Sequence, residues 1–304
     1  MGEIKRILLT GASGFLGSHL LQLLINKGYN PLIFLRPNSD KWRIQHLEEG
    51  YTSFVSADNG AISIANLFKQ YKIEGILHVA TEYGRGISLS SIIETNVLFP
   101  LRLIEEGIKN GLKLFINTDT FFGKKQFDLR YLNGYTTSKR ILEGLLQGFS
   151  SALSIANLRI EHVYGENDSE LKFVTNVLKQ AIQNKSEILL TQGLQKRDFV
   201  YVEDVANAYI SIIEHHDLIK GYNEFEVGMG QSISVKEFVT NIAQVTETKA
   251  SLKFGAIPVH DGEIKESCAD ISALKNLGWE PQYNIDTALL KIIQTEKKRF
   301  SYGS

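Results

Sequence analysis

Cysteine is all but missing from this chain: Cys268 is the single one in 304 residues, which excludes an intramolecular disulfide and a cysteine-built metal site. Seven histidines are present, but none stands at H-x-x-x-H or comparable ligand spacing, and the adjacent His215 and His216 are expected at a helix end, so no metal is predicted. A surplus of either charge is missing too. With 33 Lys and Arg against 34 Asp and Glu, the formal charge is −1, which argues against nucleic acid as a partner, and the basic run Lys297-Lys298-Arg299 is short and expected to be solvated. No apolar run is long enough to cross a bilayer and no signal-like segment opens the chain, so no membrane partner is expected and the predicted location is the cytoplasm. Proline is scarce at five residues, and no repeat or low-complexity stretch marks a linker. What is present is a 43% hydrophobic composition, enough for a large core in one big α/β domain or in a domain carrying a smaller lobe.

The apolar run Ile7-Leu8-Leu9-Thr10 reads as a buried strand, and Gly11-Ala12-Ser13-Gly14-Phe15-Leu16-Gly17 follows it, opening a helical pattern at Leu20, Leu21, Leu23 and Leu24. Strand, glycine turn and helix together make a pyrophosphate cradle. Gly11 permits the turn, Gly14 lets the backbone approach the phosphates at the helix N-terminus, and Gly17 lets helix and strand pack closely. Further strands are predicted at residues 31–35, 52–55, 75–80, 112–116 and 154–160, each separated by a helix-length segment. That alternation predicts an α/β fold, a Rossmann-type doubly wound parallel sheet. Beyond about residue 165 the pattern is less regular, with helices near 171–184, 203–215 and 234–247. The expected division is a dinucleotide-binding domain over 1–165 and a smaller C-terminal substrate-binding lobe over 166–304, with segments near 197–225 returning to the first domain.

Tyr135 and Lys139 stand four residues apart, which places them on one face of a helix. A lysine charge beside a phenol favours the phenolate, so this pair is expected to lower the tyrosine pKa from about 10 toward neutrality and to make a proton donor and acceptor. Past the second strand, where an acidic residue would take the ribose hydroxyls of NAD, the chain has Arg36, followed by Ser39, Lys41 and Arg43. NADP(H) is therefore preferred over NAD(H). Asp58, after the third strand, is either an adenine contact or a turn-forming residue. Tyr83 and Arg85, past the fourth strand, are candidate sugar contacts or parts of a solvated turn.

Glycines at the first, fourth and seventh positions, with Tyr135-Thr136-Thr137-Ser138-Lys139, resemble the short-chain dehydrogenase/reductases. His78-Val79-Ala80-Thr81, Asn96, Asn117-Thr118-Asp119-Thr120, Leu158-Arg159, Val163-Tyr164-Gly165, Arg197-Asp198-Phe199-Val200-Tyr201-Val202-Glu203-Asp204-Val205-Ala206 and Leu277-Gly278-Trp279-Glu280-Pro281 extend the likeness over nearly the whole chain. It resembles the extended branch, the nucleotide-sugar epimerases and dehydratases. The resemblance implies Thr118, Tyr135 and Lys139 as catalytic, with Gly11, Ser13, Gly14, Phe15, Leu16, Gly17, Arg36, Asp58, Ala80, Tyr135 and Lys139 around the cofactor. It implies Arg197 at the substrate diphosphate, the alternative being a surface salt bridge, and Asp204 as structural.

Departures from the pattern narrow the reaction. A 4,6-dehydratase carries Asp-Glu directly after the catalytic Thr. This chain has Asp119-Thr120, so elimination loses its base. Where many epimerases carry Asn before the Tyr-Gly of the sixth-strand loop, His162 stands here, and the interval from Thr118 to Tyr135 is short. Asn117-Thr118-Asp119-Thr120-Phe121-Phe122, Tyr131-Leu132-Asn133-Gly134-Tyr135 and Glu161-His162-Val163-Tyr164-Gly165-Glu166-Asn167-Asp168, with Lys172-Phe173, look like the CDP-paratose/CDP-abequose synthases. That closer resemblance implies NADPH-dependent reduction of the 4-keto group of a CDP-3,6-dideoxyhexulose, a step toward bacterial O-antigen, with Tyr83, Arg85, Asp119, His162, Lys172 and Arg197 as substrate contacts. A homodimer through the Tyr135 helix is implied as well. An NAD-dependent 4-epimerase, a reductase of another nucleotide ketosugar and a non-enzymatic NADP sensor remain the alternatives, the last opposed by the intact Thr118, Tyr135 and Lys139.

Overall fold

The computed structural model describes residues 4–84, 86–127, 132–259 and 262–301. From β1 (Arg6–Thr10) the chain passes through the glycine turn to α1 (Phe15–Asn26), β2 (Asn30–Leu35), β3 (Thr52–Val55), α2 (Ala61–Gln70) and β4 (Gly75–His78). A continuous helical stretch follows, in which α3 (Leu89–Ile93) widens into one π-helical turn over Glu94–Leu98 and continues as α4 (Phe99–Lys109). Next come β5 (Leu114–Thr120), α5 (Asn133–Leu146), β6 (Ser154–Ile160), β7 (His162–Tyr164), α6 (Phe173–Ile182), β8 (Glu187–Leu190), β9 (Lys196–Arg197) and β10 (Phe199–Tyr201). The chain ends through α7 (Val202–Glu214), β11 (Tyr222–Val227), β12 (Ile233–Ser234), α8 (Val235–Thr246), β13 (Ser251–Phe254), α9 (Ser272–Lys275) and α10 (Ile285–Ser301).

Among the described residues, seven strands form the main sheet in the order β11-β6-β5-β4-β1-β2-β3, and the pairings from β3 through β6 are all parallel. The order reverses between β1 and β4, the switch point at whose carboxyl edge open α/β sheets bind their ligands. Strands of such a sheet are covered on both faces and so read as unbroken apolar runs. Ile7, Leu8, Leu9, Ile33, Ile76, Leu77, Phe115 and Ile116 are indeed almost wholly buried. On one face Leu8, Phe34, Ile76, Phe115 and Ile155 form a core with Leu67, Phe68, Leu103, Ile104, Leu142 and Leu146 from α2, α4 and α5.

The fifth strand was expected over 112–116, but it starts at Leu114 and runs on to Thr120. Leu112 is taken by the end of α4, its N–H donating to Gly107 O at 2.9 Å. The polar residues 117–120 remain in the sheet, paired with β6, where Asn117 lies opposite Asn157 and Asp119 opposite Arg159. Polar groups can be buried in a sheet when their hydrogen bonds are met there.

The chain divides into two compact units. The first is Met1–Ile160 with Ala206–Phe225 and Asn276–Trp279, and the second is Glu161–Val205 with Glu226–Lys275 and Glu280–Ser304. The division thus falls at 160 instead of 165. Of the segments near 197–225, residues 206–225 lie in the first unit and 197–205 in the second, where β10 pairs with β7 and β9 with β12. In that unit Phe199 stacks on Phe238 at 3.8 Å. Asp198 accepts the N–H groups of Met229, Gly230 and Ala269 at 2.6, 3.0 and 3.1 Å. Asp204 accepts those of Gln282 and Tyr283 at 2.8 and 3.1 Å, a structural task. Among the described residues, no helix is long and apolar enough to cross a membrane, and no group of three or more His, Cys, Asp or Glu side chains could hold a metal ion.

Glu74, just before β4, accepts Lys113 Nζ at 2.8 Å and Lys5 N at 2.9 Å. These bonds, the lysine's first, pull its pKa down to about 2. A depressed carboxylate stabilises the fold at pH values above its unfolded pKa of about 4.3, and that contribution is lost as pH falls through the folded value. Urea melts of Glu74→Gln at pH 7 should therefore show a loss of about 1–2 kcal/mol that fades between about pH 4 and pH 2. An unchanged difference across that window would exclude the linkage.

Candidate active site

The glycine turn is shaped as a cradle. Gly11 has φ +72°, and a Cβ there would lie 2.6 Å from Ala80 N. A Cβ on Gly17 would lie 2.0 Å from Gly11 O, backbone against backbone. Gly14 N–H donates to Gly11 O at 3.0 Å and caps the turn where α1 begins. Thr10 Oγ1 accepts Ala80 N–H at 3.2 Å, tying the ends of β1 and β4 together. Ser13 and Phe15 are partly exposed at the mouth of the turn, whereas Leu16 is buried behind it. A helix N-terminus fronted by a glycine turn fits a dinucleotide pyrophosphate.

At the end of β2, Arg36 is exposed, and its N–H donates to Ser39 Oγ at 3.0 Å. Arg43 also comes to this edge, with Nη1 3.5 Å from Ser13 O and the guanidinium 4.3 Å over the Trp42 ring. Asp58 accepts Gly60 N–H at 2.7 Å and Ser63 Oγ at 2.8 Å, forming the turn that starts α2. Those two bonds, the Gly60 one larger, hold its carboxyl below the usual range.

Tyr135 and Lys139 lie one turn apart on α5, 6% and 1% exposed. Lys139 Nζ donates to Thr118 O at 2.7 Å and lies 5.9 Å from the Tyr135 ring centre. Burial pulls Lys139 down to about 8, and the Asp119 carboxylate opposes that fall. The expected acidification of Tyr135 is not found. Burial pushes the phenol well above its ordinary value, the Tyr83 ring and Asp119 add to the rise, and a hydrogen bond with the Thr120 side chain works against it. The physical reason is burial: the phenol is almost wholly out of water, while the ammonium donates to the Thr118 carbonyl.

The Thr118 hydroxyl, expected to work beside Tyr135, donates to His78 O at 2.7 Å and lies 2.6 Å from Tyr209 Oη. The Thr120 side chain is the one that works against the rise of the Tyr135 phenol. With Thr120 in that place the next residues are Phe121 and Phe122, so the carboxylate pair a dehydratase needs is missing on this alignment also. Asp119, expected at the substrate, is turned inward with its side chain 1% exposed. Its oxygens accept Thr120 N–H at 2.8 Å and Asn157 Nδ2 at 3.0 Å and lie 3.3 Å from Arg159 Nη2.

Tyr83 is 41% exposed, and its ring lies 4.9 Å from that of Tyr135. The loop carrying it is pinned by Asn96 in the π-helical turn, which accepts Glu82 N–H at 2.7 Å and donates to Glu82 O and Ser138 Oγ, both at 2.9 Å. Arg85 lies outside the described residues.

In the second unit Arg197 is 5% exposed, not on the surface. It donates to Ile264 O at 2.7 Å and Lys196 O at 2.8 Å and pairs with Glu263. Burial lowers its pKa, and the Glu263 and Glu161 charges resist. His162 is brought down to about 3 by burial and by the charges of Arg197 and Lys172, which keeps its imidazole neutral. Lys172, partly exposed, directly precedes α6.

Residues 7–228 match the model of the NAD dependent epimerase/dehydratase family. CDP-abequose synthase of Salmonella muenchen is 36% identical over 297 residues, spanning 96% of this chain and 98% of that protein. CDP-abequose synthase of Salmonella typhimurium is 33% identical over 293 residues, spanning 95% and 97%. Among solved structures, UDP-glucose 4-epimerase of Thermotoga maritima, crystallised with UDP-glucose, superimposes with a TM-score of 0.83 at 25% identity, over 97% of this chain and 99% of that one. The chain is an enzyme of the NAD-dependent epimerase/dehydratase family, within the extended short-chain dehydrogenase/reductases.

Proposed function

We propose that this enzyme reduces the 4-keto group of a CDP-linked 3,6-dideoxyhexulose with NADPH. The observation that carries the reading is full-length similarity to CDP-abequose synthases in a chain whose phenol, ammonium and threonine hydroxyl are all in place. The bound nicotinamide would supply the hydride. Tyr135 donates its proton to the carbonyl oxygen as that oxygen gains charge, Thr120 hydrogen-bonds the same oxygen, and Lys139 supplies positive charge to the ionising phenol. Burial raises the resting phenol, which keeps it protonated until an oxyanion develops to receive its proton. Arg197 is assigned to the substrate diphosphate, neutral His162 and half-exposed Tyr83 to the sugar, and the two compact units to dinucleotide and nucleotide-sugar binding respectively. A homodimer through α5 is supported by Ile141 and Leu145, which stay 40% and 45% exposed on that helix.

Arg36 and Arg43, both basic at the edge of the cradle, support NADPH over NADH. Arg36→Ala should weaken NADPH binding, read by nucleotide fluorescence, by about 10-fold or more while changing NADH binding less than about twofold. Equal losses would remove the cofactor assignment. The reaction is tested by NADPH oxidation at about 340 nm with CDP-4-keto-3,6-dideoxyglucose against dTDP- and GDP-linked 4-ketosugars. Turnover confined to the CDP substrate is expected. No oxidation with any ketosugar, together with NAD released on denaturation, would favour the 4-epimerase instead.

A further inference from the structure

A second tyrosine packs against the phenol of Tyr135. The Tyr83 ring lies 4.9 Å from the Tyr135 ring and is tilted to it by 34°. Tyr135 is 6% exposed, whereas Tyr83 stays 41% exposed. Part of the Tyr83 side chain therefore rests on the phenol ring, and the rest of it is open.

The place of Tyr83 is set by both of its chain neighbours. Glu82 donates its N–H to Asn96 Oδ1 at 2.7 Å and accepts Asn96 Nδ2 on its carbonyl at 2.9 Å. Gly84 donates its N–H to Glu82 Oε1 at 3.2 Å, turns at φ +77°, and would press a Cβ to 2.5 Å from Ile92 Cδ1. The same Asn96, fully buried, donates to Ser138 Oγ at 2.9 Å, and Ser138 Oγ donates to Tyr135 O at 2.7 Å. One amide thus ties the turn that carries Tyr83 to the first turn of α5, which carries Tyr135. An aromatic ring held in this way rejects a misfit that a loosely held ring would move to accommodate.

A phenol that protonates the oxygen on C4 of a sugar must come within hydrogen-bond reach of it. A ring in contact with that phenol then borders C3 or C5, the carbons bonded to C4. In a 3,6-dideoxyhexulose C3 is a CH₂ and C5 carries a methyl, so neither flank of the ketone presents a hydroxyl. The face of a tyrosine ring packs against C–H groups, and a hydroxyl set against it loses its hydrogen-bond partners. We infer that Tyr83 is a specificity-determining residue: its ring, clamped beside the catalytic phenol, forms an apolar wall along one flank of the 4-keto carbon and selects a sugar with no hydroxyl on that side. The inference rests on the ketoreductase reading of the same site.

The test compares NADPH oxidation with the CDP-linked 4-keto-3,6-dideoxy sugar, its analogue keeping a hydroxyl at C3, and its analogue keeping a hydroxyl at C6. The wild type should favour the dideoxy sugar in kcat/KM by about 10²-fold over at least one analogue, the discrimination an apolar pocket reaches against an added hydroxyl. Tyr83→Ser should bring that ratio below about 10-fold, and the analogue it admits names the flank the ring covers. Tyr83→Phe keeps the ring and should keep the ratio. In both variants Kd for NADPH should stay within about twofold, which separates selection from a loss of folding or of cofactor binding. Should Tyr83→Ser not fold, Tyr83→Gln also replaces the ring with hydrogen-bonding groups and gives the same readout. A wild type that reduces all three sugars equally, a ratio that persists in the Ser and Gln variants, or a ratio lost in Tyr83→Phe would overturn the inference and leave the ketoreductase reading standing. A wild type that reduces none of the three would remove the ketoreductase reading, and this inference with it.

Discussion

Tyr135→Phe should lower kcat for ketosugar reduction by about 10³-fold or more while leaving the Kd for NADPH within about twofold, because general acid catalysis by a positioned side chain contributes about 10²–10⁴-fold and the ring itself is retained. The more informative comparison is between the two threonines of β5. Thr120→Val removes the hydroxyl proposed to bond the reacting oxygen and should cost about 10²–10³-fold in kcat, the usual effect of losing one donor at a developing oxyanion. Thr118→Val removes the bonds to His78 O and Tyr209, leaving a buried carbonyl and a buried phenol short of partners. It should therefore cost about 1–3 kcal/mol in urea melts and less than about fivefold in kcat. Steady-state NADPH oxidation with the CDP-ketosugar separates the cases. Thr118→Val falling as far as Tyr135→Phe, with Thr120→Val active, would return the catalytic role to Thr118.

That comparison marks the limit of what the chain could disclose unaided. The strand, turn and helix around Gly11, Gly14 and Gly17 were legible because each glycine answers a local steric demand, as the close Cβ approaches at Gly11 and Gly17 bear out. The parallel order of strands was legible because buried strands are unbroken apolar runs. Strand β5 was misjudged in length for the same reason: Asn117, Thr118, Asp119 and Thr120 look like a loop unless their partners on β6, some 40 residues later, are known. Once β5 is carried to Thr120, the start of the 3₁₀ turn at Phe121–Gly123 marks that threonine as the strand's last residue at the carboxyl edge. The tertiary burial that raises the phenol and lowers the lysine was likewise invisible from a four-residue spacing. Spacing puts two side chains on one helix face, but the atom each one bonds is set by strands far away in sequence.

Gly17→Ala should abolish measurable NADPH binding, raising Kd by about 100-fold or more, and should lower the melting temperature. The added Cβ would sit 2.0 Å from Gly11 O, 2.7 Å from Gly11 C and 3.0 Å from Ala12 Cα, so its obstacles are backbone atoms of the turn itself and no side chain can swing aside. Relief requires α1 to move away from β1, which opens the phosphate cradle and disturbs packing at Leu16, Leu20 and Leu21, all buried; overpacking of this kind costs about 1–3 kcal/mol or more. Gly144 supplies the control. It lies exposed within α5, on the helix that carries Tyr135 and Lys139, and a Cβ there would meet nothing within 4 Å. Gly144→Ala should therefore stabilise the protein by about 0.5–1 kcal/mol, through the entropy glycine loses in a helix, with Kd unchanged. Nucleotide fluorescence titrations of the two variants read the difference directly. A Gly17→Ala protein that is folded and binds NADPH with the wild-type Kd would show that the turn is not where the cofactor's phosphates lie.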